Sequence, residues 1–389
     1  PRRRRAWLAV SLAGNLGLLG YFKYGGFLLD NFTALLAQLG VHFQAAAPGV
    51  VLPVGISFYT FQTLSYTLDV YRGQTRPWPS FLDYALFVTF FPQLVAGPIV
   101  RAVDFLPQCI EPKRATRRQL GWGLHLMVLG LFEKIVLADA LLAPVADRVF
   151  SRAASANFLS AWTGTAAFAG QIFFDFAGYS TCAIGAALCL GFALPDNFRF
   201  PYAAVGFSDF WRRWHITLSS WLRDYLYIPL GGNRRGNART LVNLSATMFL
   251  GGLWHGADWR FVVWGLLHGV YLVAERLARA LLGERLAGRS RRLRLPLALL
   301  TFFLVCLTWV FFRAQSFADA FLLLGAMFGA HHGGLHVPAV QRLQVAAVML
   351  ALLAGGWLLR DASLEHLAGR TPAWLRVAAV AAMLLSFAF

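Results

Sequence analysis

The sequence is short of charge, and shortest of acid. Charged residues fill 14% of its 389 positions, with 18 Asp and Glu against 35 Lys and Arg. A soluble domain carries about a quarter charged residues, so a water-facing globule is excluded. Cysteine is sparse: Cys109, Cys182, Cys189 and Cys306 are scattered, mostly in apolar stretches, with no Cys-x-x-Cys or Cys/His spacing, and read as small core residues. There is no Gly-x-Ser-x-Gly elbow, His-Glu-x-x-His helix, Walker loop or Rossmann fingerprint, so neither a covalent serine mechanism nor a metal site has support. No internal repeat appears, and an inverted-repeat transporter lacks its usual hint.

What remains is apolar. Hydrophobic residues make up 58% of the chain and mean hydropathy is +0.56. Apolar runs near the ~20 residues a bilayer-crossing helix needs recur from end to end. The net charge of +17 raises the question of nucleic acid. Its cations, however, cluster between apolar runs at Arg2 to Arg5, Lys113 to Arg118, Arg212 to Arg239 and Arg276 to Arg294. They read as cytoplasmic loops facing anionic lipid, with no nucleic-acid partner.

On that orientation, spans are expected near 6–29, 51–71, 119–142, 161–193, 295–312, 343–359 and 373–389, with a neutral loop over 31–48 and a His-rich loop over 331–336. His331, His332 and His336 carry no metal reading. The run Phe81 to Val100 has basic flanks on both sides and holds Pro92, Gly97 and Pro98. A broken or re-entrant helix is therefore expected, lining a cavity that satisfies its freed backbone groups. After a polar-aromatic insert over 195–239, the pair 240–256 and 259–274 dips in and returns.

Two constellations carry candidate chemistry. In the insert, Phe207, Trp211, Trp214, Leu218, Trp221 and Tyr225 recur at steps of three and four, and Arg212, His215, Ser219 and Arg223 follow on the next face. The spacing predicts one interfacial helix, either a membrane anchor or a cytoplasmic site where Arg212, Arg223, Arg234 and Arg235 hold a cofactor's phosphates. The second is the stretch Asn243 to Asp258. His255 lies fifteen residues beyond Thr240, roughly 20 Å along a straight helix and deep in hydrocarbon. An ionisable group there is a functional candidate by default. His255 reads either as a general base or as an interhelical hydrogen-bond donor, and His268, on an apolar helix, as a packing or supporting residue.

At these residues the sequence resembles the membrane-bound O-acyltransferase (MBOAT) superfamily, in its alginate-acetylating branch. The matching strings are Gly55 to Gln62, Tyr66 to Arg72, Phe91 to Ile99, Asn197 to Tyr202, Phe207 to Ser219 and Gly251 to Gly256, within a motif core over 51–269. The resemblance implies one all-α domain over 1–389, a polytopic bundle of tilted helices around a through-membrane tunnel with re-entrant and interfacial helices. Relative to fuller members, the chain starts one or two spans late. The near-invariant family histidine falls on His255, and a second, branch-restricted one on His215.

The implied activity is transfer of an acetyl or short acyl group from a cytoplasmic thioester, acetyl-coenzyme A or an acyl carrier protein, toward an extracytoplasmic polysaccharide such as alginate. No cofactor is bound permanently. His255 would take the acceptor proton, with Asn243 a candidate oxyanion donor and Arg212, Arg223, Trp254 and His268 contributing to substrate binding. A periplasmic or membrane-anchored acetyltransferase partner would complete transfer, and the location would be the bacterial inner membrane. The rival readings are D-alanyl transfer to teichoic acid, a polysaccharide transporter, and a silent export scaffold.

Overall fold

The computed structural model describes residues 2–43, 49, 51–283 and 291–388. Pro1, the end of the expected neutral loop at 44–48 and the middle of the last basic loop at 284–290 lie outside them. Among the described residues there is no strand. The helices are α1 (Arg2–Leu19), α2 (Gly25–Gln38), α3 (Ile56–Arg72), α4 (Phe81–Thr89), α5 (Ala102–Phe105), α6 (Arg117–Leu131), α7 (Ala143–Phe150), α8 (Phe158–Cys189) and α9 (Phe207–Arg213). They continue with α10 (Ile216–Leu222), α11 (Gly236–His255), α12 (Trp259–Leu282), α13 (Arg291–Arg313), α14 (Phe317–Met327), α15 (Ala339–Leu359), α16 (Leu364–Arg370) and α17 (Ala373–Leu385).

Four of these, α8, α12, α13 and α15, are long and apolar enough to cross a membrane. Large apolar side chains cover the outside, among them Phe81, Leu281 and Leu358. Water would penalise that surface and lipid does not, so the chain is an all-α, multi-pass membrane protein.

Several expected boundaries move, and α12 runs to Leu282, into the basic stretch expected as a loop from Arg276. The first span runs on through π-helical turns at Gly20–Tyr24 into α2, so 31–38 is helix where a loop was expected. The span expected over 119–142 continues through a π-helical stretch, Phe132–Leu142, into α7. The expected break at Phe90 is present: α4 stops at Thr89, Phe90 is extended, and regular helix resumes only at Ala102. Pro92 and Pro98 remove the backbone donors a continuing helix would need.

Glycine sets the closest helix contacts. A Cβ on Gly178 of α8 would sit 2.6 Å from the Gly130 carbonyl oxygen of α6. One on Gly252 of α11 would sit 3.0 Å from Gly265 Cα of α12. The second contact, a small-residue seam of the kind membrane helices use, clamps α11 against α12 and fixes His255 relative to α12. The main core joins α7, α8, α9, α12, α13, α14 and α15 around Phe210, Trp214, Trp264 and Trp309, all nearly inaccessible.

Candidate functional site

The aromatic insert is not one helix. The chain leaves helical geometry after Arg213, and His215 takes a left-handed conformation, φ +42° and ψ +55°, as the residue before α10. That conformation is costly for a non-glycine residue and persists only where its surroundings impose it. The surroundings are Asn197 and its neighbours. Arg199 N donates to Arg213 O at 2.9 Å and Ile216 N to Asn197 O at 2.9 Å, clasping the 197–199 segment to the break.

This overturns the expected interfacial helix. Trp214, Trp221 and Tyr225 are buried in the protein, and His215, instead of facing outward beside Arg212 and Arg223, is 1% exposed. The helical spacing was real within α9 and again within α10. A backbone break between them turned the two faces inward.

The break also fixes the imidazole. His215 Nδ1 lies 3.0 Å from Asn197 Oδ1, which also accepts from the Thr217 hydroxyl at 2.9 Å, while Asn197 Nδ2 donates to Ser180 Oγ at 3.1 Å. With the amide oriented this way its oxygen faces the ring, so Nδ1 carries the proton and donates. Nε2 is left as a buried acceptor without a partner among the described residues. Asn197 is the site residue that sequence reasoning missed: it stood only in a motif string, and no helical spacing relates positions 197 and 215.

Next to this ring lies the end of α11. The Trp254 ring is 5.9 Å from His215 and 5.1 Å from His255, its immediate neighbour. Trp254 Nε1 is buried and donates to none of the described residues. His255, the last residue of α11, is half-buried among Trp254, Trp264 at 5.0 Å and Phe312 at 5.3 Å. It makes no hydrogen bond to the described residues, which removes its reading as an interhelical donor. His268 is fully buried on α12; its Nε2 sits 3.0 Å from the Thr308 hydroxyl, whose own proton goes to Val305 O. His268 therefore donates through Nε2, and its ring packs 4.8 Å from Trp264 behind His255.

Asn243 stands elsewhere. It is buried on α11, but its amide donates to Gly232 O at 3.1 Å, and twelve residues separate it from His255, about 18 Å along the helix. Its donor is committed to the Gly231-Gly232 turn, so the expected oxyanion role at His255 has no geometric basis. Arg212 is exposed and forms no hydrogen bond or ion pair to the described residues. Arg223 is instead held bidentately by its neighbour Asp224, at 2.6 and 3.1 Å.

Asp224 belongs to a second polar network, at the arginine-rich end of the bundle. Arg101 pairs with it at 2.8 Å, and Tyr225 OH lies 2.8 Å from both carboxylate oxygens of buried Asp69. Arg72 and Arg101 stand 5.3 and 5.2 Å from the Tyr225 ring centre. Burial pushes the Asp224 carboxyl up, but hydrogen bonds from Arg223 and Arg101 outweigh it and hold the group below the usual carboxylate range.

A profile of the MBOAT, membrane-bound O-acyltransferase, family matches residues 73–316, which include every site residue named above except Asp69 and Arg72. The chain belongs to the membrane-bound O-acyltransferase family. It is 41% identical over 348 residues to a probable alginate O-acetylase of Azotobacter vinelandii, covering 89% of this chain and 68% of that protein. It is 40% identical to a peptidoglycan O-acetyltransferase of Helicobacter pylori, covering 84% and 65%. A teichoic acid D-alanyltransferase of Streptococcus thermophilus is more distant, 28% identical over 64% of this chain and 63% of its own length. The chain is thus a membrane-bound O-acyltransferase, and the paired histidines with unpartnered ring and indole nitrogens lie within the region the family shares.

Proposed function

We propose that this O-acyltransferase moves an acetyl group from a cytoplasmic thioester, acetyl-coenzyme A, across the membrane toward an extracytoplasmic polysaccharide such as alginate. The names of the 40–41% identical relatives, an alginate O-acetylase and a peptidoglycan O-acetyltransferase, support a polysaccharide acceptor. The D-alanyl alternative rests on a relative at 28% and gains no separate support from the site. The observation that carries the chemistry is the pairing of two histidines across the Trp254 ring, one pinned and one without a hydrogen bond among the described residues.

In this reading His255 takes the proton of the acceptor hydroxyl, the oxygen attacks the thioester carbonyl, the carbon–sulfur bond breaks, and the thiolate leaves and takes up the proton. An unattached imidazole can turn between those two positions. His215 presents a bare Nε2 and orients the hydroxyl; Asn197 keeps it in that tautomer, as the third member of a catalytic triad does. The developing oxyanion needs a donor with no competing acceptor in a dry site, and the Trp254 indole N–H fits in place of Asn243. Arg212, with Arg234 and Arg235, receives the donor's phosphates at the cytoplasmic end, and His268 supports Trp264 from behind. A membrane-anchored or periplasmic acetyltransferase partner then completes transfer onto the polymer.

The experiment is thiol release from acetyl-coenzyme A by the protein in nanodiscs, with and without oligosaccharide acceptors, in wild type and His255→Ala. Release that vanishes in His255→Ala is the expected result. Equal release from both would sink the mechanism. No release from either, with acyl carrier protein thioester then accepted, would replace the donor.

A further inference from the structure

α11 ends at His255, with Gly256 extended, so its last carbonyls have no following helical turn to satisfy them. Two of them find partners in the π-helical turns at Gly20–Tyr24, more than two hundred residues away in sequence. Tyr24 OH donates to Leu253 O at 2.9 Å, and the Lys23 ammonium donates to Trp254 O. Lys23 also donates to Ser57 Oγ on α3 at 2.9 Å and stands 5.3 Å from the centre of the Trp254 ring.

The N-terminal helix is fixed on α3 by a polar ladder leading up to this point. Ser11 pairs with Thr67 at 3.1 Å, and Thr63 donates to Asn15 at 2.6 Å. Lys23 is eighteen residues beyond Arg5, about 27 Å along the helix, and there it meets the end of α11 one residue before His255. π-helical turns inside a long helix are commonly placed at functional sites, and here they aim a lysine and a tyrosine at one helix end. A half-buried cation among apolar helices is expensive. Its contacts are the carbonyl, the hydroxyl and the indole face that precede His255.

We infer that Lys23 is a positioning residue for the acyl-transfer site: anchored on Ser57, its ammonium binds the carbonyl end of α11 and sets where Trp254 and His255 face. The inference rests on the proposed function and adds a residue upstream of the stretch the family profile matches. Two effects follow. The last turn of α11 is held at one height, which near-attack geometry requires. The positive charge also offsets the negative end of the helix dipole, which would otherwise oppose negative charge on a reacting carbonyl oxygen.

The test compares Lys23→Met, Lys23→Arg, Tyr24→Phe and Ser57→Ala in nanodiscs, reading kcat and KM for acetyl-coenzyme A. Lys23→Met should lower kcat about a hundredfold while donor KM stays within about twofold, because the donor's binding groups are untouched. Lys23→Arg should recover most of kcat, and Tyr24→Phe, which loses a cap but no charge, should lose far less than Lys23→Met. An unchanged kcat in Lys23→Met, a loss no larger than that of Tyr24→Phe, or a Lys23→Arg as slow as Lys23→Met overturns the inference. If Lys23→Met does not accumulate, Ser57→Ala decides: a several-fold kcat loss is expected, and wild-type kcat overturns the inference. Wild-type protein that releases no thiol would count against acetyl transfer itself. The labelling rate of His255 by diethyl pyrocarbonate, read by mass spectrometry, then decides separately, with a change in Lys23→Met expected and identical rates overturning the inference.

Discussion

Two polar regions of the molecule differ in what their side chains are free to do. At the arginine-rich end, Asp69 takes the Tyr225 hydroxyl on both oxygens, and Asp224 takes Arg101 and Arg223. In the aromatic core, His215 is held at one nitrogen, and among the described residues its other nitrogen and the Trp254 N–H are unpaired and His255 has no hydrogen bond. Buried polar groups are normally satisfied, and an unsatisfied one costs about 1–3 kcal/mol. A network closed on itself holds helices together. One left open at defined atoms, inside a rigid aromatic frame, is where a substrate can supply the missing partners.

Substitutions in the two regions should therefore separate activity from stability. His255→Ala should lower acyl turnover by about a thousandfold, within the range for general-base removal, with an unchanged thermal midpoint, measured as thiol release beside a melting curve. Asn197→Ala should reduce both. It frees the His215 ring and leaves buried groups unpaired, so kcat should fall about tenfold to a hundredfold, with a loss of about 1–3 kcal/mol in stability. Tyr225→Phe is the converse: it strips Asp69 of its donor, so stability should drop by about 2 kcal/mol while kcat per folded molecule stays near wild type. A large kcat loss there would erase the distinction between the regions.

Arg212 and Arg223 sharpen the comparison at smaller amplitude. Arg212→Ala should raise the donor KM several-fold, a loss of about 1 kcal/mol, because its guanidinium has no partner among the described residues. Arg223→Ala should change KM less, since Asp224 already occupies that guanidinium. The smallest effect concerns pH. The folded Asp224 carboxyl lies below its unfolded value, so its contribution to stability is present above about pH 4. It should be lost as pH falls through the lowered folded value, read as a midpoint decline that Asp224→Asn abolishes.

Much of this was legible before any coordinates. The break at Phe90 followed from Pro92 and Pro98 between two basic flanks, and the α11–α12 pair from apolar runs that return to the same charged side. The helix face through Phe207, Trp211 and Trp214 was misread past Arg213, because periodicity describes side chains and is blind to a backbone turn enforced from outside. The signal that His215 is buried lies in Asn197, which meets it through a loop. The same limit hid the commitment of the Asn243 amide to Gly232 and the partnership of Arg223 with Asp224.

The sequence by itself determined that this chain is a helical membrane protein and which histidine stands beside Trp254 at the close of an apolar helix, because hydropathy and spacing act along the chain. Only the tertiary structure decided which nitrogens are paired and which are bare. Hydrogen bonds such as Asn197 to His215 and Lys23 to Trp254 join segments whose separation in sequence carries no period, and they form only when packing brings those segments together.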